Sequence, residues 1–198
     1  WRGLKCVSSV QPPELAELGF SVLEARDNFD YLYRLQDMAE LSGRKFSQKR
    51  NHIKAFINNY DYRGEPLIET HLPAAISILD QWRESREDPG DYAAAREALE
   101  KSEELQLCGG IYYADNRPVA YSLGEELMLG RSFAIHFEKA VGEYRGVWQF
   151  VNQAFASILP EKYETINREQ DLGDEGLRAA KLSYKPAGFV LKYRVSAD

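Results

Sequence analysis

The feature that most constrains this chain is a change of hydrophobic period, from two to 3.6 and back, between residues 105 and 195. Val147, Phe150, Val151, Ala154, Phe155 and Ile158 recur at the spacing of one helical face, with Pro160 just beyond, so an amphipathic helix is expected over Gly146 to Leu159. On either side the pattern alternates. Leu105 to Ala114 and Pro118 to Met128 are expected to be strands joined by a tight turn at Asp115-Asn116. Phe133, Ile135 and Phe137 alternate with Ala134, His136 and Glu138 in a third, half-buried strand. After the long helix come a strand over Tyr163 to Arg168, a short helix over Asp174 to Tyr184, and a last strand carrying Phe189, Leu191, Tyr193 and Val195. Strands joined through a crossover helix pair in parallel and right-handedly. Residues from about Pro66 to Val195 are therefore expected to share one mixed sheet, with the long helix packed on one face.

The residues ahead of this region read as mainly helical, with little sheet. Pro12-Pro13 open a short helix, and Phe20 to Leu23 suit a strand. After Asn28, an N-cap residue type, Tyr31, Leu32, Leu35, Met38 and Ala39 recur at helical spacing until Ser42-Gly43 breaks the pattern. Ser47 then caps a helix with Ile53, Phe56 and Ile57 on one face, and the polar, turn-rich residues 58–64 mark the expected boundary. Beyond it, Leu72, Ile76, Leu79 and Trp82 form a helical stripe from near Thr70, Asp88-Pro89-Gly90 turns, and Tyr92 to Glu104 has strong helical composition. The fold class is thus α+β. An antiparallel meander closed by a crossover is the plan of the GNAT N-acyltransferase fold, although other α+β folds share fragments of that order.

Composition narrows the function classes. With 198 residues, 44% hydrophobic and 28% charged, the chain has the balance of a globular protein. Its longest apolar-plus-glycine run, Leu107 to Ala114, is too short to cross a bilayer, so no transmembrane segment is expected. No signal peptide opens it, and Cys6 and Cys108 form no redox or metal motif, which favours a reducing, cytoplasmic setting. The first residue is Trp1 rather than methionine, so the N-terminal part of a longer protein is expected to be missing. The net charge of -6 excludes a uniformly basic nucleic-acid binder. It also hides two acid-free segments, each with five cations: Ser42 to Lys54, and Arg178 to Arg194. Such segments suit an anionic ligand as well as they suit a solvated face.

The common catalytic and phosphate-binding signatures are absent, and His52, His71 and His136 have no metal-ligand spacing, so no metal is expected. The acetyl-CoA loop R/Q-x-x-G-x-G/A is not present, and Gly142-Glu143-Tyr144-Arg145-Gly146 stands in its place. Backbone amides at that helix N-terminus could still hold an anion. Polar density is highest at Ile135-His136-Phe137-Glu138-Lys139 and across Asn167 to Pro186.

Four separated stretches carry a resemblance: Ala25 to Tyr33, Leu41 to His52, His136 to Ala140, and Asn167 to Pro186. Together they resemble an uncharacterised bacterial family grouped with the C-terminal domain of phosphatidylglycerol lysyltransferase. Its members look like two GNAT-type domains in tandem, related to the Fem peptidoglycan aminoacyltransferases. On that resemblance residues 1–60 are the helical tail of a first GNAT-like domain and 61–198 a complete second one. The lysyltransferases themselves carry Gly-Leu-Arg, an aromatic-Lys pair, an aromatic and a Pro. Gly176-Leu177-Arg178, Lys181, Tyr184 and Pro186 match, whereas Ala180 replaces the first aromatic.

The resemblance implies transfer of an aminoacyl group from aminoacyl-tRNA to an amine or hydroxyl acceptor, including a lipid head group, by a protein that is cytoplasmic or peripheral to the membrane. Arg178 and Lys181 would face the negative charge that develops on the ester. Glu138 or Asp171 would accept the acceptor's proton, and Tyr184 would protonate the leaving group. His136, Lys139, Asn167, Arg168 and Glu169 would bind substrate. Arg44, Lys45, Lys49, Arg50 and Asn51 would hold tRNA phosphates. No cofactor is needed beyond the donor. The alternatives are an acyl-CoA N-acyltransferase, with a coenzyme A thioester as donor, and a non-catalytic binding protein on the same fold.

Overall fold

The computed structural model describes residues 4–8 and 12–197; Trp1 lies outside them. In chain order the elements are β1 (Leu4–Ser8), α1 (Pro12–Glu17), β2 (Phe20–Glu24), β3 (Asp30–Arg34), α2 (Leu35–Glu40), α3 (Ser47–Asn59), β4 (Tyr62–Pro66), α4 (Leu72–Glu84) and α5 (Tyr92–Glu100). There follow β5 (Cys108–Ala114), β6 (Arg117–Leu127), β7 (Ser132–Ala140), α6 (Val147–Ile158), β8 (Thr165–Asn167), α7 (Glu175–Leu182), β9 (Gly188–Val190) and β10 (Lys192–Ala197). They fall into two compact units. One is built from the two ends of the chain, up to Arg34 and from Asn167, and the other is Leu35–Ile166.

In the Leu35–Ile166 unit the strand order is β4-β5-β6-β7-β8. The first three pairings are antiparallel. Asp115 and Asn116 both take positive φ, 50° and 63°, which makes the expected two-residue hairpin turn one whose twist matches its strands. The Glu164 amide donates to the Arg131 carbonyl at 2.8 Å, just ahead of β8 and β7. Two neighbouring strands that start side by side run the same way, so α6 is a crossover and the sheet is mixed, as its period changes predict.

Helix α6 buries Val147, Phe150, Val151 and Phe155 against the sheet, with Phe155 edge-on to Phe133 of β7 at 5.6 Å. The apolar stripe stops one residue early, because Ile158 ends the helix and is 65% exposed. Helix α3 joins the same layer by stacking Phe56 on Phe150 at 4.4 Å. Phe56 therefore takes the inward place, and Ile57, a further 100° round the helix, is exposed. On the opposite face α4 and α5 cover Ile111, Tyr113, Tyr121 and Leu123. The fully buried positions of α4 are Ala75, Ile78 and Leu79, so the expected stripe is shifted, and Leu72, Ile76 and Trp82 flank it.

A bulge interrupts β7. Leu123 pairs with Phe137 and Gly124 with Ile135, which leaves His136 as the extra residue. The insertion exchanges the faces. Before it, Phe133 points to α6; after it, Phe137 packs with the α4–α5 core and Glu138 turns to α6. The third strand is therefore buried on both faces through Phe133, Ala134 and Ile135, not half-buried by simple alternation.

The unit made of the chain ends holds more strand than expected. β10 lies between β1 and β2 in an antiparallel three-stranded sheet, and β3 pairs with β9. Residues 30–34, expected to begin a helix, are extended. Tyr31 and Tyr33 are both fully buried and their rings stack at 6.5 Å, a period-two pairing that the helical spacing of Tyr31, Leu32 and Leu35 obscured. The expected last strand is really two, β9 and β10, which break at Leu191 and serve different sheets. Residues 58–64, expected as a boundary, are the end of α3 and the start of β4 inside one unit.

Candidate active site

The site expected over Asn167 to Pro186 forms around one buried carboxylate in the unit made of the chain ends. Asp174 accepts from the Leu177 amide at 2.7 Å and so caps α7, which fixes where the helix starts. The loop ahead of it curls tightly, with left-handed backbone at Glu169, Leu172 and Gly173. That curl turns the Asp171 side chain inward, where it is fully buried.

Four side-chain or backbone groups meet it. Arg178 grips both oxygens, Nε to Oδ2 at 2.9 Å and Nη2 to Oδ1 at 2.8 Å. The Tyr31 hydroxyl donates at 2.5 Å, the Gly173 amide at 3.0 Å, and Arg26 Nη1 lies at 3.4 Å. Arg178 above all, then Tyr31 and Gly173, hold the Asp171 carboxyl well below the usual carboxylate range, against the opposing effect of burial. The same pairing, with a second bond to Asp27 at 2.7 Å, raises the Arg178 guanidinium. Arg26 donates to the Tyr31 hydroxyl at 2.9 Å and lies 5.3–5.5 Å from the rings of Phe29, Tyr31 and Phe189. Both arginines stay open to water, at 37% for Arg26 and 30% for Arg178. Held by these partners, Asp171 anchors the two arginines.

Lys181 is buried and also acts on this loop. Its ammonium donates to the carbonyls of Arg168, Glu169 and Gln170, the last at 2.8 Å. Tyr184 is buried, its ring edge-on to Tyr33 at 6.5 Å with the Arg168 guanidinium 5.6 Å away. Asn167 bridges Asp30, at 3.1 Å, and the Glu169 amide, at 2.7 Å, and Lys192 pairs with the other Asp30 oxygen. The structure thus gathers Asn167, Arg168, Glu169, Asp171, Arg178, Lys181 and Tyr184. Sequence reasoning missed Arg26, Asp30 and Tyr31. No local pattern marked them, because the residues they meet lie 137 to 145 positions further along the chain.

The other expected residues lie in the Leu35–Ile166 unit. His136 Nε2 meets Glu125 at 3.0 Å. Lys139 is spent on a two-pronged pair with Asp91 at 2.6 and 2.7 Å, over the Trp82 ring. Burial lowers its pKa and Asp91 opposes the shift. Glu138 accepts from Asn152 and Ser122. In the basic segment Arg50 holds the carbonyls of Leu41 and Gly43, and Lys45 reaches Asp37 at 3.2 Å, whereas Arg44 and Asn51 are exposed and Lys49 is half-buried. The segment is therefore only partly available to a ligand. Among the described residues no group of three His, Cys, Asp or Glu is placed to hold a metal ion, and no helix is long and apolar enough to cross a membrane.

Residues 5–196 match the family model described as phosphatidylglycerol lysyltransferase, C-terminal. The chain belongs to that family. A conserved protein of unknown function from Bacteroides thetaiotaomicron VPI-5482 is 36% identical with a TM-score of 0.90, over 97% of this chain and 68% of that one. The uncharacterized protein MYCGA3080 of Mycoplasmoides gallisepticum is 28% identical over 177 residues, 84% of this chain. The chain spans 55% of that curated relative's length. L-PGS from Bacillus licheniformis shares the fold, at 14% identity and a TM-score of 0.67, over 96% of this chain and 66% of that one. So does a tandem GNAT protein of the clavulanic acid biosynthesis pathway, at 8% identity and a TM-score of 0.53, over 94% and 58%. The GNAT-like plan read from element order is the fold of this chain.

Proposed function

We propose that this member of the phosphatidylglycerol lysyltransferase C-terminal family transfers an aminoacyl group from aminoacyl-tRNA to an amine or hydroxyl acceptor, a lipid head group among the candidates. The observation that carries the reading is the pair of arginines, Arg26 and Arg178, fixed on one buried carboxylate and still open to water. Aminoacyl transfer places negative charge on the ester carbonyl and on the departing 3′-oxygen. Cations already held in place lower that barrier without reorganising, and this is usually the largest catalytic contribution. Asp171 and Asp27 offset the two charges, so what the pair presents is guanidinium N–H donors fixed in place. Lys181 shapes the loop and is not the second cation, because its three protons go to backbone carbonyls.

The coenzyme A alternative draws less support. In the loop before α6 the Arg145 amide donates to the Tyr60 hydroxyl at 3.3 Å and the Val147 amide to the Tyr144 carbonyl at 3.2 Å, so two amides that a pyrophosphate would use are engaged. The test supplies labelled lysyl-tRNA or alanyl-tRNA with phosphatidylglycerol vesicles or a small amine. Transfer should occur, and Arg178→Ala should lower it by about 10²–10³. Consumption of acetyl-CoA with no transfer from either tRNA would overturn the reading in favour of the alternative.

A further inference from the structure

Beneath α6 the strand register lays out a polar row. Gly110 of β5 pairs with Ser122 of β6, and Ser122 pairs with Glu138 of β7. The Ser122 hydroxyl, fully buried, donates to one Glu138 oxygen at 3.4 Å. From α6 above, Asn152 donates its Nδ2 to the other at 2.5 Å and to the Trp148 carbonyl at 2.6 Å. Both partners are acceptors, so the amide cannot be turned over, and Oδ1 is left facing away from them. That oxygen is buried with no hydrogen-bond partner.

A second buried atom in the same place lacks a partner: the Tyr112 hydroxyl. The Tyr112 ring lies back along β5 over Gly110. A β-carbon on Gly110 would sit 3.1 Å from that hydroxyl and 3.5 Å from the Phe155 ring of α6. The hydroxyl therefore stands on the α6 face, one strand from Ser122 and two from Glu138. After burial, the Glu138 charge is what raises the Tyr112 pKa, as expected of near neighbours. Two orphaned atoms, from a strand and from a helix, flank one carboxylate. Folded proteins retain such atoms where a buried water, a bound ion or ligand, or a functional role accounts for them.

The chemistry of the set selects the ligand. Asn152 Oδ1, the lone pairs of the Tyr112 hydroxyl and the Glu138 carboxylate are acceptors. An anion would be repelled by Glu138, and an apolar group would leave both atoms unmet. A primary ammonium brings three N–H donors and the complementary charge. We infer that Tyr112, Glu138 and Asn152 form a binding site for a primary ammonium group. The inference rests on the aminoacyl-transfer reading only for the source of that amine, the transferred amino acid or the acceptor.

The test titrates the whole protein with glycinamide, with its neutral isostere glycolamide and with ethylammonium, while following the Asn152 side-chain amide by NMR. Both amines should bind saturably and glycolamide should not. Tighter glycinamide assigns the site to the transferred amino acid, tighter ethylammonium to an amine acceptor, and either order supports it. Tyr112→Phe should weaken amine binding by about tenfold, the loss of one hydrogen bond to a charged group. Its melting temperature should stay level or rise, because a buried orphan has been removed. No saturable binding, equal binding of glycolamide, or unchanged affinity in Tyr112→Phe would overturn the site. Amine binding without any aminoacyl transfer would sink only the proposed function. Transfer with an unaltered amine affinity in Tyr112→Phe would sink only this site.

Discussion

Lys181→Met separates a structural from a catalytic lysine. In the folded protein the Lys181 ammonium serves the carbonyls of Arg168, Glu169 and Gln170, and its stem is buried. Methionine keeps the length and most of the packing and removes only the charged donor. A hydrogen bond to a charged group contributes about 1.5–3 kcal/mol, so three would give roughly 5–9 kcal/mol if they simply added. They do not, because all three carbonyl-bearing residues are half-exposed and water can replace part of what is removed. We expect about 2–4 kcal/mol, or a fall of about 5–15 °C in Tm for a domain of this size. Urea unfolding followed by circular dichroism gives the free energy, and hydrogen exchange should show the loosening concentrated at residues 168–174. A Tm within about 2 °C of wild type, together with a hundredfold loss of transfer, would refute this reasoning and return Lys181 to the reacting groups.

Arg178→Ala should destabilise the fold at neutral pH, because it leaves the buried Asp171 charge less well paired. The sign with pH follows from the lowered Asp171 pKa: the pair's contribution is complete above about pH 4 and is lost as the pH falls through the folded value. Denaturant titrations should therefore show the gap between wild type and Arg178→Ala narrowing in acid, and a gap that widens would refute the assignment. Phe155→Ala should cost about 3–5 kcal/mol by calorimetry, since its ring is buried against Phe133. If the basic segment meets tRNA, neutralising Arg44 and Lys49 should lower the log–log salt slope of binding by about 0.7–0.9 for each phosphate no longer neutralised, as read from filter-binding isotherms. Arg50 is unsuitable for that test because it holds the carbonyls of Leu41 and Gly43.

What could be read from the sequence was whatever depends on one element's own pattern. The α6 stripe up to Phe155, the Asp115-Asn116 hairpin and the short helix that begins after Asp174 each follow from local spacing, and each is where it was expected. What could not be read depends on partners far along the chain. Residues 30–34 fit a helix by spacing, and only pairing with residues 188–190 makes them a strand. The Asp171–Arg178 grip lies within eight residues and showed as polar density. Its completion by Tyr31 and Arg26 spans 140 and 145 residues and left no local trace. Nor did sequence reveal that Lys181 and Lys139 are consumed by internal partners, because a lysine facing inward and one facing a substrate look alike until their neighbours are known.

The extra residue in β7 bears on how relatives can be compared. His136 moves every later position of that strand to the other face, so odd and even positions exchange meaning there. A relative lacking that residue, aligned without a gap, would set Glu138 opposite a position that faces α4 and α5. The carboxylate would then look replaced where it had only been displaced by one position. Comparison across this strand is sound when it follows the face on which a side chain lies.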